Sequence, residues 1–333
     1  MKKLTDSRRF RIFLGFCAAA FVVANARAAD TWQPDRSVSI VVPSAPGGGL
    51  DLAARMVQAV VEKDKLSNQT LTVLNKPGGG GTVGIAYMNA HGNDGQYVTV
   101  QALPLITNSI TGASRIGLND VTPLAQLLTE QVVFSVNGDS PIKSGTDLIN
   151  QLRKDPSSVS IAVSSSPGGQ SHDAAALVFK TAGINPKNLK VVFFDSGGEA
   201  VTALMGNHVT VAVTPAGVVL GPSKSGKVRM IAIPSNIREP GDFRAVPTWK
   251  EQGVDVTFST WRVVVGPKNM TPAQIAWWDQ LFAKVTASPE WAAAAKRNLW
   301  TPEYKNSAET RKFLDEEKVR LTQLLGELGI AKQ

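Results

Sequence analysis

The sequence repeats one local pattern three times: a short apolar strand, a glycine-rich turn, and the start of a helix. The three turns are Pro43–Asp51, Asn75–Gly81 and Ser164–His172. A helix start leaves backbone N–H groups without partners and carries a partial positive charge, and glycine lets a ligand approach that backbone closely. Several such turns around one cleft predict a binding site for a small anion that needs no charged side chain.

Outside these turns, short β-branched segments continue to alternate with amphipathic stretches. Val38–Val42, Leu189–Phe194 and Val256–Val265 are typical strand segments, and Thr271 before Pro272 predicts a capped helix start. Such alternation predicts an α/β fold of mainly parallel sheets flanked by helices, with ligands at the carboxyl ends of the strands. The last sixty residues are predicted to be helical without a strand.

About 300 residues after the amino-terminal segment fit two domains. We place the crossings between them near 125–135 and 232–240, where apolar strands meet proline-bearing turns. The first lobe is therefore predicted to comprise residues 29–130 plus 236–333. The second is predicted to comprise residues 131–235.

The first 28 residues have the order of a secretory signal peptide. Basic residues up to Arg11 precede an apolar run from Ile12 to Ala24, and Ala26-Arg27-Ala28 fits an A-x-A cleavage site. The run is too short to span a bilayer comfortably, which disfavours the alternative of a membrane anchor. We predict cleavage after Ala28 and a soluble protein in an extracytoplasmic space.

Removing this segment changes the functional classes that the composition allows. It carries six of the 35 basic residues and one of the 27 acidic residues, so the net charge falls from +8 to +3. No basic patch remains that would indicate nucleic-acid binding. The sole cysteine, Cys17, lies in this segment, and His91, His172 and His208 lack metal-ligand spacing. We therefore predict no metal, disulfide or cofactor.

Two segments match enzyme motifs only in part. Gly79, Gly81 and Gly84 fit G-x-G-x-x-G, yet no acid follows about twenty residues on, as a dinucleotide site requires. The segment Gly221–Lys227 resembles a P-loop, but Val228 replaces the hydroxyl residue that would bind magnesium. Both are interpreted as turns.

Ser171-His172-Asp173 contains the residue types of a hydrolytic triad. Triad members normally converge from separate segments, so adjacency argues against catalysis, but a secreted serine hydrolase using Ser171 and His172 stays the alternative function. His172 either binds ligand or hydrogen-bonds to a loop. Asp51 either forms a surface ion pair with Arg55 or, as we favour, bonds the N–H groups of the preceding loop.

Taken in order, the segments resemble the substrate-binding proteins of the tripartite tricarboxylate transporter family, the Bug-type receptors. The similarity covers essentially the whole mature chain. The matching segments are Val41–Arg55, Asn75–Gly84, Asp94–Tyr97, Ser164–His172, Gly197–Val213 and Pro247–Trp261. Each is weak by itself, but their order after a signal peptide is specific.

This resemblance implies a two-lobed periplasmic receptor that closes on a small carboxylate and delivers it to membrane permease subunits. It also implies a non-enzymatic protein, which we expect to be monomeric. On one lobe the implied ligand-binding residues are Ser44, Ala45, Gly47, Gly48, Gly49, Asp51, Gly80 and Gly81, and we add Pro46 from the same turn. Leu103, at a predicted strand end, either contacts the body of the ligand or packs in the core. On the facing lobe the implied residues are Ser164, Ser166, Gln170, Ser171, His172, Asp195, Ser196 and Gly197.

Two departures from the family pattern bear on the ligand. Leu50 replaces the usual small hydroxyl residue, and Leu103-Pro104-Leu105 replaces small polar residues at a predicted strand end. Both changes predict a more apolar pocket. They favour a carboxylate with an apolar or aromatic body, with one or two carboxylates, over a citrate-like tricarboxylate.

Overall fold

The structure is a computed structural model, which describes residues 31–164, 167–327, 329 and 331–332 of the chain. The predicted signal peptide, residues 1–28, and Ser166 lie outside the described residues. The strands are β1 (Val38–Val42), β2 (Leu71–Asn75), β3 (Tyr97–Gln101), β4 (Val121–Glu130), β5 (Val132–Asn137), β6 (Ser160–Ser164), β7 (Lys190–Phe194), β8 (Val211–Pro215), β9 (Val228–Ala232), β10 (Thr260–Pro267) and β11 (Trp300–Lys305).

Helices connect these strands and cover the sheets. They are α1 (Gly49–Lys63), α2 (Thr82–Asn89), α3 (Pro104–Thr111), α4 (Gly145–Lys154), α5 (Gln170–Thr181), α6 (Gly197–Met205), α7 (Ala216–Lys224), α8 (Pro272–Thr286), α9 (Pro289–Asn298) and α10 (Ser307–Glu327). No helix within the described ranges combines the length and apolar character that a bilayer crossing requires.

The strands form two sheets, which we call the first and second lobes together with the helices packed on them. The six-stranded sheet of the first lobe has the order β11-β4-β10-β3-β1-β2. The five-stranded sheet of the second has the order β7-β6-β8-β5-β9. A single residue, Gln131, separates β4 in one sheet from β5 in the other. The predicted lobe boundaries stay predictions.

Both sheets are mixed, which qualifies the expectation of mainly parallel strands. In the first lobe β1 pairs in parallel with β2 and β3, whereas β10 runs antiparallel to β3 and β4. In the second lobe β6 is parallel to β7 and β8, whereas β5 is antiparallel to β8 and β9. The reason is topological. The chain enters each lobe from the other one through β10 or β5, so these two strands run away from the other lobe, whereas their antiparallel neighbours run toward the other lobe.

A local sequence signal places the start of α8 correctly. Thr271 Oγ1 accepts a hydrogen bond from the Gln274 N–H at 3.3 Å, and the Gln274 side chain accepts one from the Thr271 N–H at 2.8 Å, which confirms the capping box. The predicted absence of strands from the last sixty residues is wrong, because β11 pairs antiparallel with β4. Pro302 and the charged residues Glu303 and Lys305 interrupt any apolar run in this segment, and proline is depleted in strands.

Trp249, Trp261, Trp278 and Trp291 belong to the core. Trp249, Trp278 and Trp291 are fully buried, and Trp261 is nearly so. Trp261 Nε1 donates to Glu317 Oε2 at 2.8 Å, and Trp278 Nε1 donates to the Gly95 carbonyl at 2.9 Å. These rings therefore fix helices against the sheets rather than presenting a binding surface.

Candidate functional site

A cavity of about 410 Å³ lies between the two lobes, at the carboxyl ends of strands from both sheets. From the first lobe it is lined by Pro43, Ser44, Gly48, Gly49, Leu50, Gly78, Gly79, Gly80, Gly81, Gln101, Ala102, Pro104, Asn108 and Ala113. From the second lobe it is lined by Ser164, Pro167, Gln170, Phe193, Phe194, Asp195, Ser196, Gly197 and Pro215. Its size suits a ligand of small-metabolite dimensions.

Within the described residues six helices begin at this cavity, including α7, which follows the lining residue Pro215. In α1, α2, α3 and α5 the residue before the helix offers no side-chain cap to the first N–H groups. In α6, Ser196 Oγ accepts a hydrogen bond from the Glu199 N–H. Uncapped helix starts carry partial positive charge and usually free donors. The start of α3 is the exception, because Pro104 has no N–H and the next three N–H groups donate to the Ala102 and Leu103 carbonyls. The cavity is therefore suited to a negatively charged group, although no Lys, Arg or His is among its described lining residues.

Asp51 holds the first glycine turn in place. Its Oδ2 accepts hydrogen bonds from the Gly47 N–H at 3.0 Å and from Arg55 Nε at 2.9 Å. Its Oδ1 accepts from Asn75 Nδ2 at 2.9 Å, which ties the first turn to the second. Burial opposes ionisation, but the hydrogen bonds from Arg55, Gly47 and Asn75 outweigh it and hold the pKa of Asp51 below its ordinary value. The favoured interpretation of Asp51 as a loop-fixing residue is confirmed.

The second glycine turn takes a backbone course that few residues other than glycine adopt. Gly78, Gly79, Gly80 and Gly81 all have positive φ, between 57° and 117°. Asn108 Nδ2, from α3, donates to the Gly80 carbonyl at 3.0 Å. Because one carbonyl of the turn is held from behind, the glycine backbone lies against the cavity as a fixed wall.

Neither Asn108 nor its helix α3 was predicted from the sequence. The segment Leu103-Pro104-Leu105 was predicted to end a strand at the cleft, but the strand ends at Gln101 and Pro104 begins α3. Pro104 lines the cavity, whereas Leu103 is 1% exposed and packs in the core. Packing in the core is the second of the two roles that the sequence left open for Leu103. Proline at a first helical position was the signal that could have indicated α3.

The turn after β6 is held from both lobes. In the second lobe, His172 Nδ1 accepts a hydrogen bond from the Gly168 N–H at 3.2 Å. From the first lobe, Thr107 Oγ1 donates to the Gly168 carbonyl at 2.6 Å. His172 thus bonds a loop, which is one of the two roles that the sequence left open, and it is not among the residues lining the cavity.

Ser171 and His172 are not arranged as a nucleophile and its base. Ser171 is fully buried, and its Oγ shares a hydrogen bond of 2.8 Å with Ser164 Oγ. The described contact of His172 Nδ1 is with Gly168. Asp173 lies 3.6 Å from the same nitrogen, and burial raises the pKa of its carboxyl. A hydrolytic relay requires the base to bond the nucleophile, and this geometry does not provide that bond.

The cavity gathers most of the predicted ligand-binding residues. Those that line it are Ser44, Gly48, Gly49, Gly80, Gly81, Ser164, Gln170, Asp195, Ser196 and Gly197. Those that do not line it are Ala45, Pro46, Gly47, Asp51, Leu103, Ser171 and His172. Asp51 and His172 instead act on the loops through hydrogen bonds to Gly47 and Gly168.

Aromatic and apolar residues form much of the remaining wall. Phe193 and Phe194 end β7 just before Asp195, and Leu50 and Pro215 face them from helix starts. Asp195 is the charged side chain among the described lining residues, and it is exposed. Phe193 and Phe194 lie in a predicted strand that leads to Asp195, so the direction of that strand was the signal that could have indicated them as cavity residues.

Behind the cavity lies a fully buried ion pair between Arg262 and Glu130. Arg262 Nη1 also donates to Gln170 Oε1 in the second lobe at 2.5 Å, and Trp300 Nε1 donates to Glu130 Oε2 at 3.2 Å. Burial lowers the pKa of Arg262 to about 9, which leaves it protonated at neutral pH. This pair could not be predicted from local patterns, since its partners are 132 positions apart and lie in strands.

Residues 53–330 match the family described as the tripartite tricarboxylate transporter family receptor. Protein BugT of Bordetella pertussis is 27% identical over 333 residues, covering 96% of this chain and 98% of BugT. The structure of the periplasmic binding protein BugD superposes with a TM-score of 0.81 at 21% identity, covering 90% of this chain and 100% of that one. An adipate-bound protein of Rhodopseudomonas palustris gives a TM-score of 0.81 at 21% identity, covering 90% and 99%. The two-lobed periplasmic-binding-protein fold is confirmed.

We expect Asp51→Asn to lower the free energy of unfolding by about 1–2 kcal/mol at neutral pH, because the loop loses a charged acceptor. The folded-state pKa lies below the ordinary 3.8, so the contribution is complete above that value and is lost as the pH falls through the folded-state pKa. Denaturant titrations should show a difference that is constant from about pH 7 to about pH 5 and shrinks below about pH 4.

Asp139→Asn is the matched control, since Asp139 is exposed in the turn after β5. An Asp51→Asn difference that is no larger than the control's, or that grows in acid, would contradict the loop-fixing role.

We expect His172→Ala to weaken ligand binding by about fivefold, because the Gly168 N–H loses its acceptor. His172→Asn should bind nearly as the unmodified protein does, since an Asn side-chain oxygen can replace Nδ1 as acceptor. Calorimetric titration measures both variants, and p-nitrophenyl acetate tests hydrolysis in parallel. If the unmodified protein hydrolyses p-nitrophenyl acetate and both variants do not, the result would instead favour the hydrolase.

Proposed function

This chain belongs to the tripartite tricarboxylate transporter receptor family, and we propose that it captures a small carboxylate by lobe closure and delivers it to the membrane subunits of such a transporter. The family consists of periplasmic solute-binding receptors. The proposal places the mature protein in the periplasm after cleavage following Ala28. It works there as a monomer without catalysis, with lobes at residues 29–130 plus 236–333 and 131–235.

The convergence of helix starts from both lobes carries this proposal. Helices α1, α2 and α3 begin at the cavity from one side, and α5 and α6 begin there from the other. Each start offers the positive end of a helix dipole, and each except that of α3, whose first N–H groups bond the Ala102 and Leu103 carbonyls, also offers N–H donors. A carboxylate has two oxygens and therefore accepts several N–H bonds at once.

Direct contacts between the lobes on two sides of the cavity support closure as the capture step. Gly48 lies against Ser196 so closely that a Cβ on Gly48 would be 3.3 Å from the Ser196 Cβ. Elsewhere, Thr107 of the first lobe bonds the Gly168 carbonyl of the second. A ligand that binds this closed arrangement more tightly than an open one shifts the population toward it. The permease would then recognise the closed form.

The wall of the cavity favours a ligand with an apolar or aromatic body. Leu50, Phe193 and Phe194 offer such a surface, and the described lining residues include no cation to neutralise several carboxylates. Helix starts on both lobes leave room for one or two carboxylates. Citrate, with three carboxylates and a hydroxyl, matches this lining poorly because burying unpaired charge costs free energy.

The test is calorimetric titration of the mature protein, residues 29–333, with benzoate, terephthalate, adipate, malate and citrate. Benzoate, terephthalate or adipate should bind more tightly than citrate. Tighter binding of citrate would contradict the ligand class. Absence of binding by all five would contradict the proposed function.

We expect Asp195→Asn to raise affinity for these anions, because it removes a negative charge from the cavity edge. The gain should be about two- to fivefold for benzoate and larger for the dianion terephthalate, since Coulomb repulsion scales with ligand charge. Asp139→Asn removes the same formal charge at the far end of β5 and is the matched control. Equal gains in both variants would assign the effect to net charge rather than to the cavity.

A further inference from the structure

Two buried charges meet where the chain passes from the first lobe to the second. Glu130 is the last residue of β4, and Arg262 lies on the neighbouring strand β10. Both side chains are 1% exposed, and Arg262 Nη2 contacts Glu130 Oε1. Trp300 Nε1 bonds the other carboxylate oxygen at 3.2 Å. The guanidinium is therefore held in one place by the first lobe.

From this position Arg262 reaches into the second lobe. Its Nη1 donates to Gln170 Oε1 at 2.5 Å and to the Trp261 carbonyl at 3.2 Å. Gln170 is the first residue of α5 and lines the cavity. The pair also packs directly behind the first glycine turn, because a Cβ on Gly49 would be 3.0 Å from Glu130 Oε1 and 3.1 Å from Arg262 Nη2.

This contact fixes which end of the Gln170 amide faces the cavity. A glutamine side chain has one oxygen that accepts and one nitrogen that donates, and the two are easily exchanged. Arginine has donors and no acceptor, so Gln170 must turn its oxygen toward Arg262. Gln170 Nε2 then has no hydrogen-bond partner among the described residues. It is also not one of the buried side-chain nitrogen and oxygen atoms that lack a partner, so it is not closed off from solvent.

We propose that Arg262, held by Glu130, is a positioning residue that turns the Gln170 amide so that Nε2 donates a hydrogen bond to the ligand's carboxylate. The inference rests on the proposed function, since it assigns a donor to that site. It adds a side-chain donor to the backbone N–H groups of the helix starts. Arg262 itself does not line the cavity.

The arrangement also makes this donor conditional on closure. Arg262 belongs to β10 of the first lobe and Gln170 to α5 of the second, so separating the lobes breaks their contact. The amide is then free to rotate. A carboxylate therefore meets an oriented donor in the closed form and an unoriented one in the open form, which gives the closed form the higher affinity.

The experiment is a double-mutant cycle on the mature protein, with benzoate and adipate as probes and calorimetry as the readout. Gln170→Met removes the donor while keeping the side-chain length, and should weaken binding of the tighter probe at least tenfold. Arg262→Lys keeps the charge beside Glu130 but loses the planar fork, and should weaken it at least threefold. In the Gln170→Met background, Arg262→Lys should add no further loss.

Gln101→Met is the matched control for the cycle. Gln101 is another amide that lines the cavity, but its Nε2 donates to Thr99 Oγ1 at 3.0 Å and has no described bond to Arg262. The fold-losses of affinity caused by Gln101→Met and by Arg262→Lys should therefore be independent, so that the double variant shows their product. If Arg262→Lys weakens binding equally in the presence and absence of Gln170, the positioning role is overturned.

A second measurement keeps the proposal testable if Arg262→Lys does not fold. The side-chain amide signals of Gln170 in a ¹⁵N–¹H spectrum are assigned by their absence from Gln170→Met. They should shift on addition of the probe that binds. Binding without a shift, or binding that Gln170→Met leaves unchanged, overturns the inference and leaves the proposed function intact. Failure of the unmodified protein to bind benzoate, terephthalate, adipate, malate or citrate overturns both.

Discussion

The start of a helix after a parallel strand determines where this molecule can act. Each strand that points toward the other lobe must turn before its helix begins, and the first N–H groups of that helix then lack partners inside the helix. Glycine before α1, α2 and α5 keeps those groups uncovered. Because the two sheets present these edges to each other, donors from both converge on one cavity.

A cavity built from backbone donors needs side chains that hold the backbone still, and these side chains lie behind the loops. Asp51 ties the first turn to Asn75, Asn108 holds the second, and His172 holds the turn after β6. Such supports can carry charge without presenting it to a ligand. The same separation applies to the pair of Arg262 and Glu130, whose charges offset each other out of reach of solvent.

Local sequence patterns predicted the features that depend on neighbouring residues. Each of these signals depends on residues within about ten positions of one another. They include the alternating strands and helices, the glycine turns and the Thr271 cap, so the fold class and most cavity loops could be inferred. Helix α3 and strand β11 could not, since proline and polar residues conceal their patterns and tertiary packing decides their structure. Arg262 was beyond reach for another reason: its role depends on Glu130 and Gln170, which are distant in sequence.

The connection between β4 and β5 has a kinetic consequence. Gln131 alone separates the two strands, and its carbonyl accepts a hydrogen bond from the Ala216 N–H at 2.9 Å. Any swing of one lobe against the other must therefore pass through the torsion angles of very few residues at this crossing. If a solute is captured by lobe closure as proposed, its escape waits on that swing, so the stiffness of a short piece of backbone would set an upper limit on the rate of solute release, whatever the affinity of the solute.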